Sequence, residues 1–261
     1  MTSSEYLHSL FGLEGQVAVV IGGAGELGGA ICAGLVQAGA HVVVADLTAE
    51  GCQARVEKLQ ALGGKASYAL VNVTSRQAIE ASLAEALKIK GRVEILVNSA
   101  GVNAGSTFLE ADEAAWDRVM SINLKAIFLA CQVYGKHMVE AGGGSILNVG
   151  SVTSLLPLSR VFAYSASKAG VLNLSRNIAQ DLAPQGVRVN CICPGFFPAE
   201  QNRKLLDQDR IDNIMRGTPM KRFGNPDELV GAALLLLSPV AGSFITGGYV
   251  SVDGGFTCSW F

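Results

Sequence analysis

The sequence predicts one doubly wound α/β domain whose mostly parallel sheet of about seven strands is covered by helices on both faces. Three observations predict it. Short β-branched runs alternate with longer helical patterns along the whole chain. The first such run passes directly into a cluster of glycines. No linker, internal repeat or low-complexity tract interrupts the 261 residues, so they read as a single domain, 1–261.

The elements follow in order. QVAVVI at 16–21 is a buried strand, and 27–38 a helix. HVVVA at 41–45 is the second strand, ending at Asp46, and a helix covers 49–62. Strands at 66–71 and 93–97 flank a helix at 77–89. Residues 113–140 read as one long helix with a bend. SILNV at 145–149 is the fifth strand. The helix at 164–182 is stopped by Pro184 and Gly186. VRVNCI at 187–192 is the sixth strand, 194–224 is irregular, 226–238 is a final core helix, and 249–252 is the last strand. Crossovers between parallel strands are expected to be right-handed.

Composition narrows the function. Apolar residues make up 49% and glycines number 31, which allows a large core with many tight turns. A net charge of -2 without a basic block argues against nucleic acid as partner. Apolar stretches are strand-sized or broken, which argues against a membrane span. Three histidines in no ligand spacing give no reason to expect a metal. The start, MTSSEYLHSLFGLEG, lacks a basic region and a long apolar run. With six cysteines (Cys32, Cys52, Cys131, Cys191, Cys193 and Cys258), this points to free thiols in a reducing, cytoplasmic setting. Cys191 and Cys193 are expected on opposite faces of their strand, which disfavours a disulfide or metal pair.

The first strand leads into Gly22-Gly23-Ala24-Gly25-Glu26-Leu27-Gly28. Gly23-x-Gly25-x-x-Gly28 has dinucleotide-loop spacing, between a strand and a helix. Glycines there let backbone amides approach a pyrophosphate, and the helix offers its positive end. Asp46, ending the second strand, can accept hydrogen bonds from both adenosine ribose hydroxyls and would repel a 2′-phosphate. Leu47 and Thr48 follow, with no arginine to neutralise one, so NAD (NADH) is expected over NADP. The competing reading of Asp46 is a helix cap. Asn98-Ser99-Ala100-Gly101 follows the fourth strand, at the sheet edge where open α/β folds bind ligands.

Tyr164 and Lys168 stand four apart in Tyr-Ser-Ala-Ser-Lys, so a helix places both on one face. A lysine ammonium there is expected to lower the phenol pKa. Ser151 can hydrogen-bond the same substrate oxygen, leaving Tyr164 to give or take a proton. Asn123 reads either as a water holder linked to Lys168 or as a polar residue satisfied by its own helix.

These motifs, in this order and with Pro194-Gly195 after the sixth strand, resemble the short-chain dehydrogenase/reductase family over almost the whole chain. The resemblance implies a Rossmann-type fold, a catalytic set of Asn123, Ser151, Tyr164 and Lys168, and hydride exchange between a nicotinamide cofactor and an alcohol or ketone. It implies cofactor contacts from Gly22, Gly25, Glu26, Leu27, Gly28, Asp46, Leu47, Asn72, Val73, Asn98, Ala100, Gly101, Tyr164, Lys168, Pro194, Gly195 and Phe197, and commonly a homotetramer. Against the family pattern Thr-Gly-x-x-x-Gly-x-Gly, Ile21 replaces the threonine and Glu26 the middle glycine. Asn72 stands where the family has aspartate, and Ala199 where it often has threonine. These departures bear on cofactor affinity, not on the proton-transfer groups.

The runs from Pro194 and from Thr218 to Leu229 are similar to the family branch of D-mannonate oxidoreductases (fructuronate reductases), which act on sugar acids. Ser151, Arg160, Tyr164, Phe196, Asn202 and Arg203 are the expected substrate contacts, with Lys204 nearby, and 195–224 is the expected lid. Arginine suits a carboxylate because its fork binds it bidentately; the bland reading of Arg203-Lys204 is a solvated helix face. Phe196 and Phe197 are candidates to shield hydride transfer. The aromatic tail 248–261, with Tyr249, Phe256, Trp260 and Phe261, is a candidate oligomer contact. The rival functions are another NAD-dependent sugar or polyol dehydrogenase, of the gluconate 5-dehydrogenase type, and a non-catalytic nucleotide-binding redox sensor.

Overall fold

The computed structural model describes residues 1–197 and 208–258. Its seven strands are β1 (Val17–Ile21), β2 (His41–Asp46), β3 (Ala66–Leu70), β4 (Ile95–Asn98), β5 (Gly144–Val149), β6 (Val187–Pro194) and β7 (Tyr249–Val252). They form one sheet in the order β3-β2-β1-β4-β5-β6-β7. Every neighbouring pair is parallel, so the sheet is wholly parallel. The order reverses at β1, between β2 and β4, the switch point at whose carboxyl edge such sheets bind ligands.

Alternation within the strands builds two cores. Val17, Val19 and Ile21 of β1 pack on one face with Leu96, Ile146 and Val189. Ala18 and Val20 pack on the other with Val42, Val97, Leu147 and Ile192. Both faces of β1 are buried, which is why its sequence is continuously apolar rather than alternating.

Helices α2 (Glu26–Gln37), α3 (Ala49–Ala61), α4 (Arg76–Leu87), α5 (Glu113–Met120), α6 (Ala126–Glu140), α7 (Phe162–Leu182), α8 (Gln208–Gly217) and α9 (Val230–Leu237) supply the covers. The expected long helix is interrupted: a π-helical turn at Ser121–Lys125 separates α5 from α6. The expected final helix begins as a 3-10 turn, Pro226–Leu229, before α9. Strand β6 runs two residues further than read, to Pro194. An additional helix, α1 (Ser3–Phe11), starts at a capping box in which Thr2 and Glu5 satisfy each other's backbone. Its end is held where the Ser238 hydroxyl donates to the Leu10 carbonyl at 2.6 Å.

The expectation for Cys191 and Cys193 is overturned. Residues two apart on a strand share a face, and both thiols join the same core cluster. A Cβ on Gly150 would lie 2.9 Å from the Cys191 sulfur and 3.1 Å from that of Cys193, so only glycine fits beside the pair. The hydrogen bond to Cys193, with burial, pushes the Cys191 thiol up. Both remain free thiols.

Candidate active site

The glycine turn closes tightly against α2. Gly22 has φ 83, and a Cβ there would sit 2.4 Å from the Ala100 nitrogen. A Cβ on Gly28 would meet the Gly22 carbonyl oxygen at 2.2 Å. Both positions therefore require glycine, one for conformation and approach to β4, the other for helix-strand contact. Gly25 caps α2 without a side-chain bond, and exposed Glu26 is its first residue. The first turn of α2 thus opens at the sheet edge from a glycine N-cap, which contributes no side chain of its own.

Asp46 faces this turn. Its Oδ2 accepts from the Ala24 amide at 3.1 Å and its Oδ1 from the Leu47 amide at 2.8 Å. The helix-cap reading fails, because Thr48 is the N-cap of α3. Leu47 is exposed, while Leu27 and Val73 lie against the two cores. Asn72 accepts from the Thr74 amide and hydroxyl at 3.1 and 2.8 Å, closing a turn after β3. Glycines at the crevice, a glycine N-cap at α2 and a carboxylate at the end of β2 fit a dinucleotide.

Asn98 ends β4 at the carboxyl edge of the sheet. Its side chain points inward, donating to the Asn148 Oδ1 at 2.8 Å; Asn148 donates in turn to the Ser175 hydroxyl at 2.9 Å. This buried chain joins β4, β5 and α7, so the Asn98 amide serves the sheet interior. Sequence reading missed Asn148 and Ser175; their polarity inside otherwise apolar segments was the available signal.

Asn123 is fully buried in the π turn. Its Oδ1 accepts from the Val102 amide at 2.8 Å, and its Nδ2 donates to the Val102 carbonyl at 2.9 Å and the Ser167 hydroxyl at 3.1 Å. It is therefore satisfied by the loop after β4 and by α7, not by its own helix. Gly101 sits between Asn123 and Lys168: its Cβ would lie 3.4 Å from the Asn123 Oδ1 and 3.6 Å from the Lys168 Nζ.

Ser151, Tyr164 and Lys168 come together at the end of β5. Ser151 caps a 3-10 turn, accepting from the Thr153 amide at 3.2 Å. The Lys168 ammonium donates to the Val149 carbonyl at 2.7 Å and lies 5.7 Å from the Tyr164 ring centroid. Burial holds the lysine pKa down to about 8. The expected lowering of Tyr164 is reversed: burial pushes the phenol up, and its hydrogen bond with Ser151 is the opposing influence. The tyrosine keeps its proton at neutral pH and is set to donate it.

Around this group the expected substrate residues separate. Arg160 is exposed, adopts φ 66, and its carbonyl accepts from the Ser106 amide at 3.0 Å. Phe197 is buried against Gly224, and Phe196 meets Phe256 edge-on at 5.0 Å between centroids. The Gly224 amide donates to the Phe196 carbonyl at 2.9 Å. The two rings thus brace the base of the 195–224 segment, a placement that differs from a shield over the reaction. Gly195 lies against Asp253, and its amide donates to the Val252 carbonyl at 2.9 Å. Pro198, Ala199, Asn202, Arg203, Lys204, Trp260 and Phe261 lie outside the described residues. A cavity of about 400 Å³ is lined by Phe196, Thr218, Met220, Arg222 and Asp253; Asn123, Ser151, Tyr164 and Lys168 do not line it.

Parallel seven-stranded sheet, glycine crevice and convergent Ser-Tyr-Lys group together fit a nicotinamide-dependent oxidoreductase. The chain belongs to the short chain dehydrogenase family, whose model matches residues 16–210. It is 38% identical to the uncharacterized oxidoreductase UxuB of Bacillus subtilis, covering 94% of this chain and 95% of that one. It is 36% identical to 5-keto-D-gluconate 5-reductase of Escherichia coli K12, covering 95% and 98%. Its fold superposes on a gluconate 5-dehydrogenase from Burkholderia cenocepacia, solved with NADP and tartrate, with a TM-score of 0.92 at 31% identity, covering 97% and 100%. Among the described residues, no helix is long and apolar enough to cross a membrane.

Proposed function

We propose that this enzyme interconverts a secondary alcohol and a ketone on a sugar acid of the D-mannonate/D-fructuronate type, using NAD in preference to NADP, as a cytoplasmic homotetramer. The observation that carries the chemistry is the convergence of Ser151, Tyr164 and Lys168 at one strand end. The preference for NAD rests on Asp46, whose carboxylate faces the glycine turn where a 2′-phosphate would bring more negative charge. A sugar acid is supported by relatives named for ketogluconate and gluconate.

The cofactor, when bound, supplies or accepts the hydride. Gly22, Gly25 and Gly28 would admit it, and the amides opening α2 would hold its phosphates. Ser151 orients the substrate oxygen. Tyr164 donates its phenolic proton to that oxygen during reduction and takes it back during oxidation. Lys168 holds positive charge near the phenol, and Asn123 fixes the loop around Gly101 beside it. Arg160 and Arg203 are candidates for the substrate carboxylate.

The second reading, a gluconate 5-dehydrogenase type of activity, is favoured by the same relatives' names. The test follows NADH oxidation with D-fructuronate, D-tagaturonate, 5-ketogluconate and neutral ketoses in parallel, repeated with NADPH. Highest kcat/KM with D-fructuronate and NADH is expected. Preference for 5-ketogluconate or a neutral ketose replaces the substrate assignment and leaves the hydride chemistry in place.

A further inference from the structure

We infer that Ser154 is a positioning residue for the proton-transfer pair, clamping the Ser151 turn onto α7 so that the serine hydroxyl stays bonded to Tyr164. This rests on the proton-transfer chemistry proposed above.

Lys168 is attached to the segment leaving β5 at two points. Its Nζ donates to the Val149 carbonyl at 2.7 Å, ahead of Ser151 in the chain. Its own carbonyl accepts from the Ser154 hydroxyl at 2.7 Å, beyond Ser151. The reacting serine therefore lies between the two attachments. The Ser154 oxygen also accepts the Ser151 amide at 3.2 Å, and the Ser154 amide donates to the Ser151 carbonyl at 2.9 Å. A hydroxyl has one proton to give and lone pairs to receive. Here the proton goes to α7 and a lone pair to Ser151. Tyr164 stands one helical turn before Lys168, so the backbones that carry the two reacting hydroxyls are joined through Ser154.

The surroundings hold this hydroxyl in place. Gly150 makes room for it: a Cβ there would lie 2.9 Å from the Ser154 Oγ. The Cys193 sulfur also contacts the Ser151 amide and the Ser154 hydroxyl. That sulfur is a weak acceptor and belongs to β6, so it holds the turn to the sheet. Ser154 carries the same turn across to the helix. Lys168 lies inside α7, and its carbonyl keeps its place in the helical ladder when the serine hydroxyl is removed. Loss of the clamp should therefore fall on the reacting geometry and leave the helix formed.

The hydrogen bond from Ser151 is the influence that opposes burial at the Tyr164 phenol. A hydrogen bond weakens steeply with distance and misalignment, so this influence depends on the clamp. Among the described residues, the titratable groups facing the phenol are Lys168 on its own helix and Cys193 from β6. Neither is altered by a substitution at Ser154.

The test uses Ser154→Ala, assayed in both directions on a substrate from the ketone panel above, with NADH binding followed by fluorescence. A fall in kcat of about 10–10²-fold is expected, with KM and the NADH Kd within about threefold of the unaltered enzyme. The alkaline rise of alcohol oxidation should move to higher pH, because a loosened Ser151 no longer favours the phenolate. Lost packing alone would not move that profile. Ser154→Cys keeps the shape with a weaker donor and should give a smaller fall and a smaller displacement of the profile; it carries the same reading if Ser154→Ala does not fold. An unmoved profile, whatever the kcat, or a loss confined to KM or to the NADH Kd, overturns the inference and leaves the proton-transfer reading standing. Absence of turnover by the unaltered chain across the whole panel, with NADH and with NADPH, overturns both.

Discussion

The Lys168 ammonium donates to the carbonyl oxygen of Val149 at 2.7 Å, tying α7 to the last residue of β5. Ser151 follows two residues beyond that carbonyl, and Tyr164 lies one helical turn before the lysine. One buried cation thus sets the spacing between the two hydroxyls that meet at Tyr164. Rigid placement of this kind is what proton transfer needs, since small displacements remove most of the rate.

Tyr164→Phe removes the transferable proton and keeps the ring. It is expected to lower kcat/KM by about 10²–10⁴-fold. NADH affinity, followed by fluorescence, should remain close to that of the unaltered enzyme. Near-normal turnover would reject the phenol as the acid.

The direction of the Tyr164 shift sets the pH dependence. With the phenol pushed up by burial, ketone reduction, which needs the protonated form, should be sustained through neutral pH and decline only in alkali. Alcohol oxidation, which needs the phenolate, should rise over that same alkaline range. Profiles of kcat/KM in both directions check this, and parallel profiles would contradict it.

Lys168 is charged in both folded and unfolded chains below about 8, where burial of its charge opposes folding in full. Between about 8 and 10.5 the folded protein has released this proton and the unfolded chain retains it, so this contribution to stability rises with pH. Lys168→Met should therefore be more stable than the unaltered protein at neutral pH, by about 1–3 kcal/mol, while turnover is lost. The difference should shrink as pH rises through that window. Urea melts of both proteins at several pH values measure it.

Asn98→Ala leaves the buried Asn148 Oδ1 with only the weak Cys131 thiol, at 3.8 Å, as donor. A loss of about 1–3 kcal/mol in urea unfolding is expected. A much smaller loss would mean that the chain from Asn98 to Ser175 is not structurally coupled.

The contrast between what was legible and what was not has physical causes. The alternation of strands and helices, the glycine turn and the Tyr164–Lys168 spacing were legible because each depends on periodicity or on a short local motif. Asn98 was not: its backbone position at the strand end said ligand, while the direction of its side chain depends on Asn148, distant in sequence. The π turn around Asn123 was hidden because the flanking helical pattern continues through it. The shift of Tyr164 was misread because proximity to a cation was weighed without the burial of the phenol. The facing of Cys191 and Cys193 was a misapplied strand period rather than a missing signal.

The hydrogen bond from Gly224 to the Phe196 carbonyl, with Phe197 packed beneath Gly224, joins the two ends of the segment that follows the sixth strand. Such a segment is a cassette clasped at its neck. Insertions or exchanges beyond the clasp leave the strand register unaltered and add little closure entropy, since that entropy grows only slowly with length. A library confined to residues beyond the neck should accordingly diversify the accepted substrate while the hydride-transfer machinery is inherited intact.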